Sequence, residues 1–309
     1  MLTSLEDTSK PLLVVVAGPT ASGKTGVGIQ LAKHFQTSIL SADSRQCYQE
    51  LNIGVAKPTP SELVEARHYF INTNSIHQPI DAAGYADFGL SVLDGLFKGK
   101  NIAIAVGGTG LYIKALCEGV DDIPAIPESV RLKVNALYQM EGITGLQEKL
   151  KLVDPVYFAD GEIKNPQRVM RAIEVCLHTG KSIRYFQQGS AKPRPFRVCY
   201  LGMDVSREKL HQNINTRVDE MMQAGLLKEV EQLIPFRTLN ALQTVGYTEL
   251  FDYFAGKTSL NEAIERIKIH TRQYAKRQKT WFKKVPGMNW LAPERLEEMK
   301  RKIEECLNI

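Results

Sequence analysis

The chain has 309 residues, 43% of them hydrophobic, and carries 39 Lys and Arg against 34 Asp and Glu for a net charge of +5. That is enough length for a full core and for two domains, since single cores stop growing near roughly 250–300 residues. Cys47, Cys117, Cys176, Cys199 and Cys306 show no C-x-x-C spacing, which excludes zinc fingers and a secreted disulfide framework and leaves buried free thiols; no apolar run approaches a membrane span, and the opening "MLTSLEDTSKP" lacks the marks of a signal peptide, so the expected location is cytoplasmic with no membrane partner.

In chain order, Leu12 to Ala17 reads as a buried strand that breaks into the glycine-rich stretch Gly18 to Thr25. Behind it Val27, Leu31 and Phe35 recur at the spacing of a helix packed on a sheet. Ser38 to Ala42 reads as a second strand ending at Asp43, and Asn101 to Val106 as a third ending in "GGTG". Such alternation predicts a parallel α/β sheet whose ligand-binding loops open beyond the carboxyl ends of the strands. From Asp121 to Pro195 the pattern is helical, broken by "IPAIP", "DP", "NP" and "KPRP", before a strand over Arg197 to Val205 and further helices from Arg207 onward. The fold class is therefore α/β, a P-loop NTPase-like parallel sheet flanked by helices, residues 1–120 and 196–309, with an inserted all-helical domain over residues 121–195.

Charge is segregated along this order. Gly161 to Arg197 holds eight Lys or Arg against Glu162 and Glu174, and Arg266 to Lys284 holds eight more with no acid, so the remainder of the chain is net acidic. With Tyr185, Phe186, Tyr274, Trp281 and Phe282 interleaved, these segments suit a surface that follows a nucleic-acid backbone and stacks bases. The same helical stripe of Ile264, Ile267, Thr271, Tyr274, Gln278 and Trp281 is equally compatible with a core face beneath a solvated charged one.

The pattern G-x-x-x-x-G-K-[ST] is filled by Gly18, Gly23, Lys24 and Thr25. It ordinarily holds the phosphates of ATP or GTP: backbone N–H groups and a helix N-terminus converge on an oxyanion, the lysine adds charge and the hydroxyl can ligate Mg²⁺. Asp43 at the second strand end has three readings, namely a Mg²⁺ partner through water, a proton acceptor for an incoming nucleophile, or a helix cap. "GGTGLY", Gly107 to Tyr112, offers N–H donors and the Thr109 hydroxyl at the same sheet edge.

"GPTASGKT", "SADSRQ", "IGVAKPT", "GGTGLY", "NPQRVMRAIEV", "GLLKEV", "VGYTEL" and "TRQYAKRQKTWF", in this order from Leu12 to Trp290, resemble the bacterial tRNA dimethylallyltransferases, also called tRNA isopentenyltransferases. The resemblance implies that the loop holds the diphosphate of dimethylallyl diphosphate and that the prenyl group passes to N6 of the adenosine just 3′ of a tRNA anticodon. It further implies that Gly18, Pro19, Thr20, Ala21, Ser22, Gly23, Lys24 and Thr25 bind the diphosphate, with Mg²⁺ on Thr25, and that Arg207 and Arg217 assist. Catalysis would rest on Asp43 as base, Lys24, and Thr109 positioning the amine or the leaving group. Contacts to the tRNA anticodon stem-loop would come from Asp43, Ser44, Arg45, Gln46, Thr109, Arg131, Gln167, Arg168, Arg171, Gln243, Gly246, Tyr247, Lys276, Arg277, Gln278 and Trp281. No obligate protein partner is expected, and the chain is expected to act as a monomer. Departures from the family pattern fall around "RHYFINTNSIHQP", where a His-His pair is common, and at Cys47 before Tyr48; neither touches a proposed catalytic group.

Three competing classes remain distinguishable. An enzyme on free adenine nucleotides would not need the long basic footprint, a P-loop kinase would transfer a γ-phosphate, and a non-catalytic RNA-binding protein would leave Lys24, Thr25 and Asp43 together unexplained.

Overall fold

The computed structural model describes residues 9–189 and 191–308; the opening stretch read for a signal peptide lies mostly outside them. Six parallel strands form one sheet in the order β3-β2-β4-β1-β5-β6. In chain order, β1 (Leu12–Ala17), α1 (Lys24–His34), β2 (Ile39–Ala42), α2 (Pro60–Glu65), β3 (His68–Tyr69), α3 (Ala82–Phe97), β4 (Ile102–Gly107) and α4 (Gly110–Glu118) build the first part. Then α5 (Glu128–Val153), α6 (Pro155–Asp160), α7 (Pro166–Thr179) and α8 (Ile183–Phe186) intervene. The sheet resumes with β5 (Arg197–Met203), followed by α9 (Arg207–Gln223), α10 (Leu226–Gln232), α11 (Tyr247–Phe254), α12 (Leu260–Phe282), β6 (Asn289–Leu291) and α13 (Leu296–Asn308).

The run Leu12 to Ala17 is continuous apolar sequence because β1 is central and covered on both faces. Leu13, Val15 and Ala17 enter one core with Ala103 and Ala105 of β4, while Leu12, Val14 and Val16 enter the other with Ile102, Ile104 and Val106. The period of two thus distributes one strand between two layers of helices. Register then fixes the loops: Ala17 lies opposite Gly107 and Gly202, and Ala42 opposite the same Gly107, so the chain leaves β1, β2 and β4 at one level.

Contacts divide the chain into two compact units, residues 1–118 with 193–309, and residues 119–192. The second unit is helical, with its own core around Val134, Leu146, Val169 and Ile173. Its α7 begins on a local signal, the Asn165 side chain accepting from the N–H groups of Gln167 and Arg168 with Pro166 in the first turn, and ends at Gly180 in the left-handed region. Asp154, buried, accepts from Tyr157 N at 3.0 Å and Ile183 N at 3.1 Å, capping α6 and α8 with one carboxylate. The stretch enters and leaves through one neck: a Cβ on Gly119 would lie 2.9 Å from Lys192 Cγ. All five cysteines are free thiols, three buried and two half-buried.

β3 and β6 are short strands that the sequence pattern does not announce, because two or three half-buried residues carry no alternation.

Candidate active site

The phosphate loop turns into α1 at Gly23, whose φ of 83° is the left-handed conformation that only glycine adopts without strain. Pro19 O accepts from Lys24 Nζ at 3.2 Å, which folds the ammonium back over the loop. Burial and the neighbouring Arg217 guanidinium bring Lys24 down to about 8 from the usual lysine value, and Asp43 opposes them. The hydroxyl of Ser22 is buried without a hydrogen-bond partner in the loop.

Two other elements hold the loop from outside. On α9, Asn213 Nδ2 donates to Ala21 O at 3.0 Å and Arg217 reaches Thr20 Oγ1 at 3.4 Å. On α12, the buried Gln278 amide accepts from Thr20 N at 2.8 Å and donates to Gly108 O at 2.9 Å, bridging the first loop to the loop after β4. That third loop is tied to the second, since Thr109 N donates to Ala42 O at 3.1 Å and Ser44 N donates to Thr109 Oγ1 at 3.1 Å. Asp43 Oδ1 accepts from Arg45 N at 2.9 Å and Gln46 N at 3.3 Å, so this carboxylate does cap its turn.

Two adjoining cavities open here. A small one, about 60 Å³, is lined by Lys24, Thr25, Ser41, Asp43, His68 and Arg217 among others. A cleft of about 540 Å³ runs from Thr20 and Asp43 past Arg45 and Arg217 to Tyr274 and Arg277. Thr20, Asp43, Val55, Ala56 and Arg217 line both. Val55 and Ala56 are placed by a clamp: Glu229 accepts from Ile53 N at 2.8 Å, Gly54 N at 3.1 Å and the Tyr247 hydroxyl at 2.6 Å. Gly54 is required there, because a Cβ would come within 2.6 Å of the Tyr247 ring. Burial beside Asp43 pushes the Tyr274 hydroxyl up to about 12.

The structure thus brings together Lys24, Thr25, Asp43, Thr109, Arg45 and Arg217 at the carboxyl edge of the sheet. Several expected positions have other surroundings. Arg207 is exposed at the first turn of α9 and lines neither cavity, ten residues or about 15 Å of helix from Arg217. Tyr247 is wholly buried against Glu229, so its ring presents no surface to RNA, whereas Gly246 lines the cleft. The amide of Gln46 is spent on Ser41 Oγ and Ala56 O, and that of Gln278 on the two loops. Lys276, Arg277 and Trp281 are exposed on α12, and Gln243 is exposed although its amide donates to Arg237 O. In the helical unit Gln167, Arg168 and Arg131 are exposed, and Arg171 pairs with Glu174 at 3.8 Å. Glu229 and Asn213 are not legible as site residues, since each holds a loop through a partner that no sequence spacing links to it.

A parallel sheet whose first strand feeds a phosphate loop, with a carboxylate at the end of β2, on the far side of β4 from β1, and a cleft beyond, defines a P-loop α/β protein. Residues 46–285 match the family described as IPP transferase, and the chain belongs to that family. It is 43% identical over 291 residues to tRNA dimethylallyltransferase 1 of Phocaeicola vulgatus, covering 94% of this chain and 97% of that one. It is 44% identical over 278 residues to the tRNA dimethylallyltransferase of Christiangramia forsetii, covering 90% and 92%. Among solved structures, the tRNA isopentenylpyrophosphate transferase of Bacillus halodurans superposes with a TM-score of 0.72 at 31% identity, covering 97% of both chains. A eukaryotic dimethylallyltransferase acting on tRNA gives 0.73 at 25% identity, covering 96% of this chain and 77% of that one. Among the described residues no helix is long and apolar enough to cross a membrane.

Proposed function

We propose that the chain transfers the dimethylallyl group of dimethylallyl diphosphate to N6 of the adenosine just 3′ of a tRNA anticodon, releasing diphosphate, and that it does so in the cytoplasm as a monomer. The observation that carries this reading is the place of Asp43, on the wall shared by the small cavity of the phosphate loop and the larger cleft. One group therefore faces both the leaving diphosphate and an adenine entering from the cleft.

In this reaction the allylic C–O bond breaks, the N6–C bond forms, the electron pair of the broken bond leaves with the diphosphate, and the proton of the amine passes to Asp43. Charge that develops on the leaving group is met by Lys24, Arg217 and the loop N–H groups, which are already oriented. Thr109, fixed by Ser44 N, holds the amine beside Asp43. The adenine must be unstacked to reach this point, which is least costly in a loop of RNA.

The hard oxygen donors at the small cavity suit Mg²⁺, an ion that keeps several waters and takes one or two protein oxygens plus substrate phosphates. Thr25 and Asp43, which line that cavity, supply such oxygens. Bound on Thr25, the ion would neutralise charge on the departing diphosphate.

Incubation with labelled dimethylallyl diphosphate and total tRNA, followed by digestion to nucleosides, tests the reading. Label is expected in N6-prenyladenosine, with an anticodon stem-loop retaining most of the activity of tRNA and AMP very little, because remote RNA contacts align the amine. Efficient prenylation of AMP, or none of any RNA, overturns it.

A further inference from the structure

The cleft is lined by a histidine that the proposed reaction does not use. His270 Nδ1 lies 2.5 Å from Glu249 Oε1, joining α12 to α11. Glu249 is itself immobilised: it is buried, and its other oxygen accepts from Gly246 N at 2.7 Å and the Thr248 hydroxyl at 3.0 Å. One ring nitrogen is thus committed to a fixed carboxylate while 45% of the imidazole side chain stays exposed in the cleft. On α12, His270, Tyr274 and Arg277 stand at i, i+4 and i+7, one face of the helix, and all three line the cleft. Arg277 lies 5.8 Å over the Tyr274 ring.

The charged and aromatic groups that line the cleft together with His270 are Asp43 and Arg45 after β2, Arg217 of α9, Glu249 of α11, and Tyr274 and Arg277 of α12. Three guanidinium groups and an aromatic ring make this a wall for an anionic, base-bearing strand.

We propose that His270, oriented by Glu249, contacts a phosphodiester of the nucleotides flanking the reacting adenosine through its second ring nitrogen. This rests on the RNA reading of the cleft given above. The competing role is a structural pin between α11 and α12, and substitutions separate the two. Asn keeps a donor where Nδ1 stands, so His270→Asn retains the bond to Glu249 and removes only the cleft-facing nitrogen; His270→Ala removes both; Gln restores a donor toward the cleft.

Steady-state prenylation of a synthetic anticodon stem-loop is the assay. His270→Ala and His270→Asn are expected to raise KM for the stem-loop about tenfold, the size of one charge-assisted hydrogen bond. kcat should stay within about twofold, KM for dimethylallyl diphosphate should not move, and His270→Gln should recover part of the loss. A stem-loop with a neutral methylphosphonate at the contacted linkage should cost the wild-type enzyme a similar factor and His270→Ala nothing further. Wild-type behaviour of His270→Asn alongside a lowered Tm of His270→Ala means the pin, and overturns the proposal. So does equal loss by both enzymes at every flanking linkage. If the wild-type enzyme prenylates no stem-loop, the proposed function falls and takes this with it; if it does and the variants match it, only the His270 assignment falls.

Discussion

Asp43 spends one carboxylate oxygen on the amides of Arg45 and Gln46, bonds that an asparagine oxygen can keep. Asp43→Asn therefore preserves the turn and removes only the proton acceptor proposed above. Its expected effect is a fall in kcat of about a hundredfold or more with stem-loop Kd unchanged; fluorescence titration beside single-turnover assays checks both, and a collapse in affinity would make Asp43 a positioning group. Lys24 gives a pH prediction. With its value lowered to about 8, the ammonium is charged below that pH and neutral above it. KM for dimethylallyl diphosphate should accordingly climb as pH rises through about 8, while Lys24→Ala, slower by about a hundredfold, should lose that climb. A pH profile of KM for wild type and variant reads it directly.

At the scale of elements, the arrangement depends on side chains that connect loops far apart in the chain. Gln278 is the clearest: replacing it by leucine keeps the volume and helical character of α12 but strands Thr20 N and Gly108 O. The expected cost is about 1–3 kcal/mol of stability, with a raised KM for dimethylallyl diphosphate, because the proposed function puts the diphosphate and the acceptor on the bridged loops; urea unfolding with assays at matched folded fraction tests it. These connections mark the limit of what the sequence discloses. β1, β2, β4 and β5 are legible because their apolar runs end in glycine or a polar residue, and the phosphate loop because its spacing is local. The family resemblance then carries Lys24, Asp43, Thr109 and Arg217 to one place. It does not reveal that Tyr247 and Gln278 turn inward, since a motif preserves identity without saying which face is covered. Nor does it reveal the Glu229 clamp on Gly54, a contact between positions 175 residues apart.

Across the whole molecule, charge and architecture divide labour. In the helical unit Arg131 stands on α5 and Arg171 on α7; burial raises the carboxyl of Glu174 above its usual value, and Arg171 and Arg131 offset that only in part. Arg168, exposed one turn earlier, is the better phosphate ligand of the expected pair, since Arg171 already has an acid beside it. Arg168→Gln should weaken stem-loop binding and flatten its salt dependence by about 0.7–0.9 of a log–log unit, with Arg171→Gln changing the slope less; titrations at several salt concentrations measure this. The neck at Gly119 and Lys192 has a broader meaning. A stretch whose two ends meet can be cut out, or exchanged for one of another length, and the remaining backbone closes over the gap with a tight turn. Residues 119–192 are in that sense a cassette. The strands on either side of it, β4 and β5, each pair with β1 and not with the cassette, so its removal is expected to leave the sheet register in place.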